Sequence, residues 1–290
     1  MKKKILFIVN PISGTSKKEN MEFLIARWVD RDKFDTDVHY TQYAGHATEI
    51  AFQYRHIYHA IAAVGGDGTV NEIAKALTGS TTALYIIPTG SGNGLARHLH
   101  IPVGIRSSLL RLNNSEELWI DTCMVNETPF FCTSGMGFDA EVAHRFSLAA
   151  SRGLMTYILT SFTTFFGYQA QNYEIEIDGQ YLSKKLHILT CANAGQYGND
   201  AYISPAADIA DGNMDLCMVK PIHSIFKATT FSLRLFTYSM HQSKSVEIVK
   251  AKNVKIKREK SDWLHVDGEP VAMPAELNYQ ILPKSLKVWR

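Results

Sequence analysis

No Cys-x-x-Cys pair occurs among the four cysteines, Cys123, Cys132, Cys191 and Cys217. That excludes a zinc ribbon and a thioredoxin-type motif. Dispersed thiols in a chain this long read as buried side chains of a reducing compartment. No G-x-x-x-x-G-K-[ST] sequence is present, so the chain is not a P-loop kinase. No G-x-S-x-G elbow occurs, which counts against an α/β-hydrolase. The apolar run near the start, residues 5–9, is too short for a signal-peptide core, and a cytoplasmic protein is expected. An excess of one charge is lacking too. Lysine plus arginine number 30 against 28 aspartate plus glutamate, a net charge of +2. That balance gives no electrostatic case for a nucleic-acid partner.

Residues 153–173 carry no charge, which is nearly a membrane-spanning length. Thr156, Thr160, Ser161, Thr163 and Thr164 make the stretch too polar to favour insertion. Leu154, Ile158, Phe162 and Phe165/Phe166 instead fall at helical spacing, predicting an amphipathic helix near 153–168.

The 290 residues suggest two domains, and 46% hydrophobic residues supply a core. Through about residue 120, short apolar strands (5–9, 36–40, 61–64, 84–87) alternate with helical patterns (20–29, 48–54, 70–77). This is the signature of a parallel sheet covered on both faces. Beyond that, strands are read at 130–134, 173–177, 186–192, 216–219, 246–249, 254–256, 264–266 and 277–281, and several alternate apolar with polar residues, as half-buried antiparallel strands do. A second helical insertion is expected near 222–240. Both insertions are read as mostly core, with a minority of positions left for lipid. The domains are placed at 1–122 and 123–283, with a strand at 284–290 that returns to the first.

The strongest chemical signal is Gly65-Gly66-Asp67-Gly68-Thr69-Val70-Asn71-Glu72, between a buried strand and a helix. Glycines at a strand's carboxyl end let backbone amides approach phosphate oxygens, and the helix start adds partial positive charge. Asp67 can hold Mg²⁺ directly or through water, and Thr69 can donate to phosphate. The next strand ends in Pro88-Thr89-Gly90-Ser91-Gly92-Asn93-Gly94, and two such loops make a crevice. Asn10-Pro11-Ile12-Ser13-Gly14 and Thr41 follow the first two strands with weaker signals. In the second half, Asp208 to Asp215 is an acidic turn, balanced between an oxygen site for Mg²⁺ and an ordinary Asp-Gly turn. Asp267-Gly268 reads as a hairpin turn, with Asp267 also a candidate general base.

In this order the motifs resemble the diacylglycerol kinase catalytic-domain family, which includes bacterial lipid kinases and the sphingosine and ceramide kinases. The segments are NPISG (10–14), GGDGTVNEI (65–73), PTGSGNGLAR (88–97), GMGFDAEVA (135–143), DGNMD (211–215) and VDGEP (266–270). The resemblance implies an N-terminal three-layer α/β nucleotide domain and a C-terminal β-sandwich, with a lipid site between them. It implies ATP, Mg²⁺, a lipid substrate with a free hydroxyl and transient contact with a membrane surface. Carried over by position, Asn10, Pro11, Ile12, Ser13, Gly14, Thr41, Gly65 through Asn71 and Ser91 contact ATP. Asp267 is the proton acceptor, supported by Glu269, whose charge raises the pKa of Asp267. Asp211 ligates Mg²⁺ with the carbonyls of Asp208 and Asn213, in a network reaching Asp67. Ser91 and Gly94 depart from the bacterial diacylglycerol kinase pattern, which has threonine and aspartate there. The Gly-Ser-Gly-Asn form is similar to that of sphingosine and ceramide kinases. A sphingoid-base or ceramide kinase, an NAD-kinase-type metabolite kinase and a non-catalytic nucleotide-binding regulator stay open, as does oligomeric state, a homodimer included.

Overall fold

Every residue of Ile5–Val9 is buried to 0% exposure, and the whole of Ala60–Gly65 and Ala83–Pro88 is buried as well. A strand buried on both faces has to be a central strand of a covered sheet. The computed structural model, which describes residues 2–14, 20–149, 154–165 and 167–290, shows that sheet. In chain order the first part holds β1 (Lys3–Val9), α1 (Met21–Trp28), β2 (Phe34–Tyr40), α2 (His46–Tyr54), β3 (Ala60–Gly65), α3 (Asp67–Leu77), β4 (Ala83–Pro88), α4 (Gly94–His98) and α5 (Ile105–Leu112). The strands lie in the order β2-β1-β3-β4, all parallel. Ile5 registers with Thr36 on one side and Ala60 on the other, and Ala60 with Ala83. Helix α1 packs with α5, and α2 with α3.

The second part holds the end of β5 (Glu117–Val125), then β6 (Thr128–Phe130), β7 (Thr133–Gly137), α6 (Phe138–Ser147), α7 (Leu154–Phe165), β8 (Gln171–Ile177), β9 (Gln180–Leu186), β10 (Ile188–Ala192), β11 (Met214–Val219), α8 (Ile225–Phe236), β12 (Val246–Ala251), β13 (Asn253–Arg258), β14 (Asp262–Val266), β15 (Glu269–Met273) and most of β16 (Glu276–Trp289). One antiparallel sheet runs β12-β11-β10-β7-β14-β15. In the other, β13 sits between β16 and β8, and β8 pairs with β9. Tyr173, Ile175, Val254, Ile256, Leu189 and Leu216 point into one core between the sheets, while Glu174 and Lys255 point outward. That alternation is what a half-buried sandwich strand requires. The chain divides into two compact units, residues 1–121 with 284–290, and 122–283. The last strand serves both: Leu277 pairs with Ile256 on β13, and Val288 with Leu84 on β4.

Several elements differ from the sequence reading. Helix α3 starts at Asp67 rather than Val70, so Asp67, Gly68 and Thr69 form its first turn. An aspartate there is favoured by the helix dipole. Residues 130–134 split into β6 and β7, and helices α5 and α6 were not anticipated. The expected strands at 277–281 and 284–290 fall on one strand of 14 residues, Glu276–Trp289. Gly153 and Phe166, part of the predicted amphipathic helix, lie outside the described residues. The helical insertions also expose more than expected. No residue of α8 is buried, and Ile158, Phe162, Ile225, Phe226 and Phe236 are exposed. Phe165, Phe231 and Leu235 do pack inward, on a cluster with Ile203, Val219 and Met240. Among the described residues no helix is long and apolar enough to cross a membrane.

Candidate functional site

In the first unit, three loops meet at the carboxyl ends of β1, β3 and β4. Gly14, at φ +76°, lies so close to the third loop that a Cβ there would stand 2.0 Å from the Thr89 carbonyl oxygen. A Cβ on Gly90 would stand 2.7 Å from the Gly66 Cα. Neither approach tolerates a side chain, so backbone faces backbone. Asn10 Nδ2 donates to Thr69 Oγ1 at 3.1 Å, tying the first loop to the opening turn of α3. Ile12 N–H donates to Asn10 Oδ1, and Ser13 Oγ to the Asn10 carbonyl. Pro11, Ile12 and Ser91 are exposed, whereas Thr69 and Val70 are buried. Thr41 is buried at the end of β2, with its N–H on the Val9 carbonyl.

Asp67 joins the two glycine loops. One carboxylate oxygen accepts the Asn93 N–H at 2.9 Å and the other the Gly94 N–H at 2.8 Å. The carboxylate thus covers the first amides of α4, a favourable place for negative charge. It retains lone pairs for a water or a cation. Gly94, having no side chain, meets Asp67 through its backbone. Glu72 does the same for α2, accepting the N–H groups of Gly45 and Ala47. The hydroxyl of Thr89 is buried without a hydrogen-bond partner in this cluster.

In the second unit, Asp267 occupies the turn between β14 and β15 with φ +49°. Its carboxylate accepts three consecutive backbone N–H groups: Phe131 on Oδ2 at 2.9 Å, and Cys132 and Thr133 on Oδ1 at 2.7 and 3.1 Å. Burial pushes this carboxyl above the usual aspartate range; the three amides and the nearby His265 pull the other way. Glu269, exposed at the start of β15, is not the source of that upward push, contrary to the sequence reading. A carboxylate that is fixed by three amides, raised by desolvation and still partly exposed suits a general base near neutrality.

Beside it lies a group the sequence reading did not single out. Asp139 Oδ2 receives Thr190 Oγ1 at 2.7 Å and Tyr197 OH at 3.1 Å, and stands 3.2 Å from His265 Nε2. Asp139 and His265 are 5% and 3% exposed. Gly135 has no room for a side chain against them. The available signal was an aspartate between Phe138 and Ala140 in a run otherwise suited to burial.

The acidic turn before β11 closes on itself. Asp208 Oδ1 accepts the Ala210 N–H, and Asp211 Oδ1 accepts the Asn213 N–H at 2.9 Å. The second Asp211 oxygen meets Lys250 Nζ, which also stands 3.7 Å from Asp215 Oδ1. Its partnership with Asp211 raises the Lys250 pKa. Lys250 is therefore the cation of this loop, and Mg²⁺ at Asp211 would have to displace it. Among the described residues no three His, Cys, Asp or Glu side chains converge as a metal-ion set.

Residues 4–125 match the Diacylglycerol kinase catalytic domain, and residues 133–290 the YegS C-terminal NAD kinase beta sandwich-like domain. An uncharacterized Synechocystis protein is 27% identical over 79% of this chain; the match covers 54% of that relative, so the chain spans about half its length. A Bacillus subtilis diacylglycerol kinase is 26% identical over 92% of this chain and 90% of its own. A crystal structure of a diacylglycerol kinase from Bacillus anthracis shares the fold, with a TM-score of 0.74 over 99% of this chain and 96% of that one at 20% identity.

Proposed function

The chain belongs to the diacylglycerol kinase catalytic-domain family, and from this premise we propose that it is a lipid kinase that transfers the γ-phosphate of ATP to a lipid hydroxyl, with diacylglycerol as the first acceptor to test. The observation that carries the reading is the close backbone approach of Gly14 to Thr89 and of Gly66 to Gly90 at the strand ends. Such a surface offers N–H groups to phosphate oxygens, and α3 adds its positive end. Asn10 through Gly14, Thr41, Gly65 through Asn71 and Ser91 are the proposed nucleotide contacts.

Mg²⁺ carried with the nucleotide supplies charge against the phosphate oxygens. Asp67 fits an outer, water-mediated role, because two amides already occupy its oxygens. Asp208, Asp211 and Asn213 fit a second ion only once Lys250 withdraws. Asp267 is the proposed proton acceptor for the lipid hydroxyl, and Glu269 an exposed auxiliary. The exposed apolar faces of α7 and α8, with Phe226 78% and Met155 68% exposed, are the proposed contact with the membrane that holds the acceptor.

The test is transfer of labelled γ-phosphate from Mg·ATP to diacylglycerol, monoacylglycerol, sphingosine, dihydrosphingosine, ceramide and NAD in mixed micelles. Label is expected in one lipid, and Asp267→Asn is expected to lower turnover by about 10²–10⁴-fold while ATP still binds. Label in NAD alone moves the chain to metabolite kinases. Turnover near wild type in Asp267→Asn removes Asp267 from the mechanism.

A further inference from the structure

We infer that Asn193 is a positioning residue for Asp267, gripping from behind the peptides whose N–H groups hold the Asp267 carboxylate. The inference rests on the reading of Asp267 as proton acceptor.

A peptide unit is planar, so its C=O and N–H point in fixed opposite directions. The plane linking residues 131 and 132 gives its N–H, that of Cys132, to Asp267 Oδ1. Its oxygen, that of Phe131, accepts Asn193 Nδ2 at 2.9 Å. The next plane gives the Thr133 N–H to the same Oδ1. Its oxygen, that of Cys132, accepts the Asn193 and Ala194 N–H groups at 2.8 and 3.0 Å. The Thr133 carbonyl in turn receives the Asp267 N–H at 2.8 Å. Both planes are thus held at each end, by Asp267 in front and by Asn193 and its neighbour behind.

Hydrogen bonds in such a chain also polarise one another, strengthening the pull of each N–H on the carboxylate. Asn193 is 1% exposed. It directly follows Ala192, the residue of β10 that pairs with Thr133 on β7. Its backbone N–H is committed to Cys132, so only a side-chain amide at this position supplies the bond to Phe131.

Losing Asn193 Nδ2 frees the first plane to tilt and weakens its N–H bond to Asp267. A carboxylate that loses a donor titrates higher. The other ionisable groups around it are His265 on β14, backed by Asp139, the Cys132 thiol in the gripped segment and Glu269 on β15. None is altered by the substitution. In Asn193→Ala, the acidic limb of kcat against pH is therefore expected to move up by about half to one pH unit. Turnover near pH 6 should fall several-fold, approach wild type above pH 8, and leave the ATP KM unchanged.

Ile175→Ala is the companion variant, destabilising the same unit from its core without touching residues 131–133. It should lower the unfolding midpoint and leave the limb in place. If Asn193→Ala does not accumulate folded, Asn193→Ser, which leaves a polar group in the buried site while removing the amide, carries the measurement. An unmoved limb in the folded Asn193 variant, with Asp267→Asn inactive, overturns the inference and leaves the base assignment standing. An equal shift in Ile175→Ala also overturns it, since general loosening then explains the effect. Turnover retained by Asp267→Asn overturns the assignment beneath it.

Discussion

The two units build their candidate sites from opposite materials. In the first, backbone approaches backbone through glycines, and side chains such as Asp67 and Glu72 cap helices around the gap. In the second, buried side chains hold other groups in place, with Asp139 gathering Thr190, Tyr197 and His265, and Asn193 holding peptide planes. A site made by leaving side chains out is sensitive to any added atom. A site made of buried polar partners is sensitive to lost partners and to protons.

The largest effect that could break this contrast is steric. Gly14→Ala adds a Cβ 2.0 Å from a carbonyl oxygen at a positive φ, and Gly90→Ala one 2.7 Å from the Gly66 Cα. Each is expected to cost about 1–3 kcal/mol in denaturant unfolding. Gly68→Ala, with nothing within 4 Å in the first turn of α3, should instead gain up to about 1 kcal/mol. Equal responses at Gly90 and Gly68 would show that the loops are not closely met.

Next comes the proton sensitivity of the second unit. His187 lies against Phe138, Phe165 and Tyr168, with Nε2 buried and unpartnered. Burial lowers its pKa from 6.5 to about 4. The unfolded chain therefore takes up the proton first, and stability rises with pH across that interval. The contribution is complete above pH 6.5 and is lost as pH falls toward 4. His187→Phe should flatten the unfolding midpoint over this window; a slope identical to wild type would assign the acid sensitivity elsewhere.

The smallest effect concerns Lys250, whose ion pair is surface-exposed and worth under about 1 kcal/mol. Lys250→Met should make the unfolding midpoint more responsive to Mg²⁺ than in wild type. An equal response in both proteins would mean that the ammonium does not compete for Asp211.

The same contrast explains what was legible in the sequence. The parallel strands β1, β3 and β4 showed as continuous apolar runs, and the sandwich as alternation at residues such as Tyr173, Glu174 and Ile175. Gly65 through Gly68 announced itself because glycines cluster where chains must approach closely. Asp139 stood inside the segment GMGFDAEVA without any sign of its partners, and Asn193 and Lys250 were silent; the partners of the three lie 51 to 126, 62 and 39 positions away. Helix α6 was missed because its buried face includes Asp139 among Ala140, Val142 and Ala143, which blurs the helical period. Helix α3 was placed three residues late because glycine and threonine are weak helix formers, although the Asp67 position supports an earlier start.

Strand β16 carries one more consequence, which concerns time. Residues 284–290 belong to the first unit, yet they are synthesised after all 162 residues of the second. At about 5–20 residues per second, roughly 8–30 s separates residue 121 from its last partners. During that interval the edge of β4 waits without Val288, and the first unit cannot close its sheet before the sandwich has left the ribosome. The order of translation thus makes the apparent first domain the last to be finished.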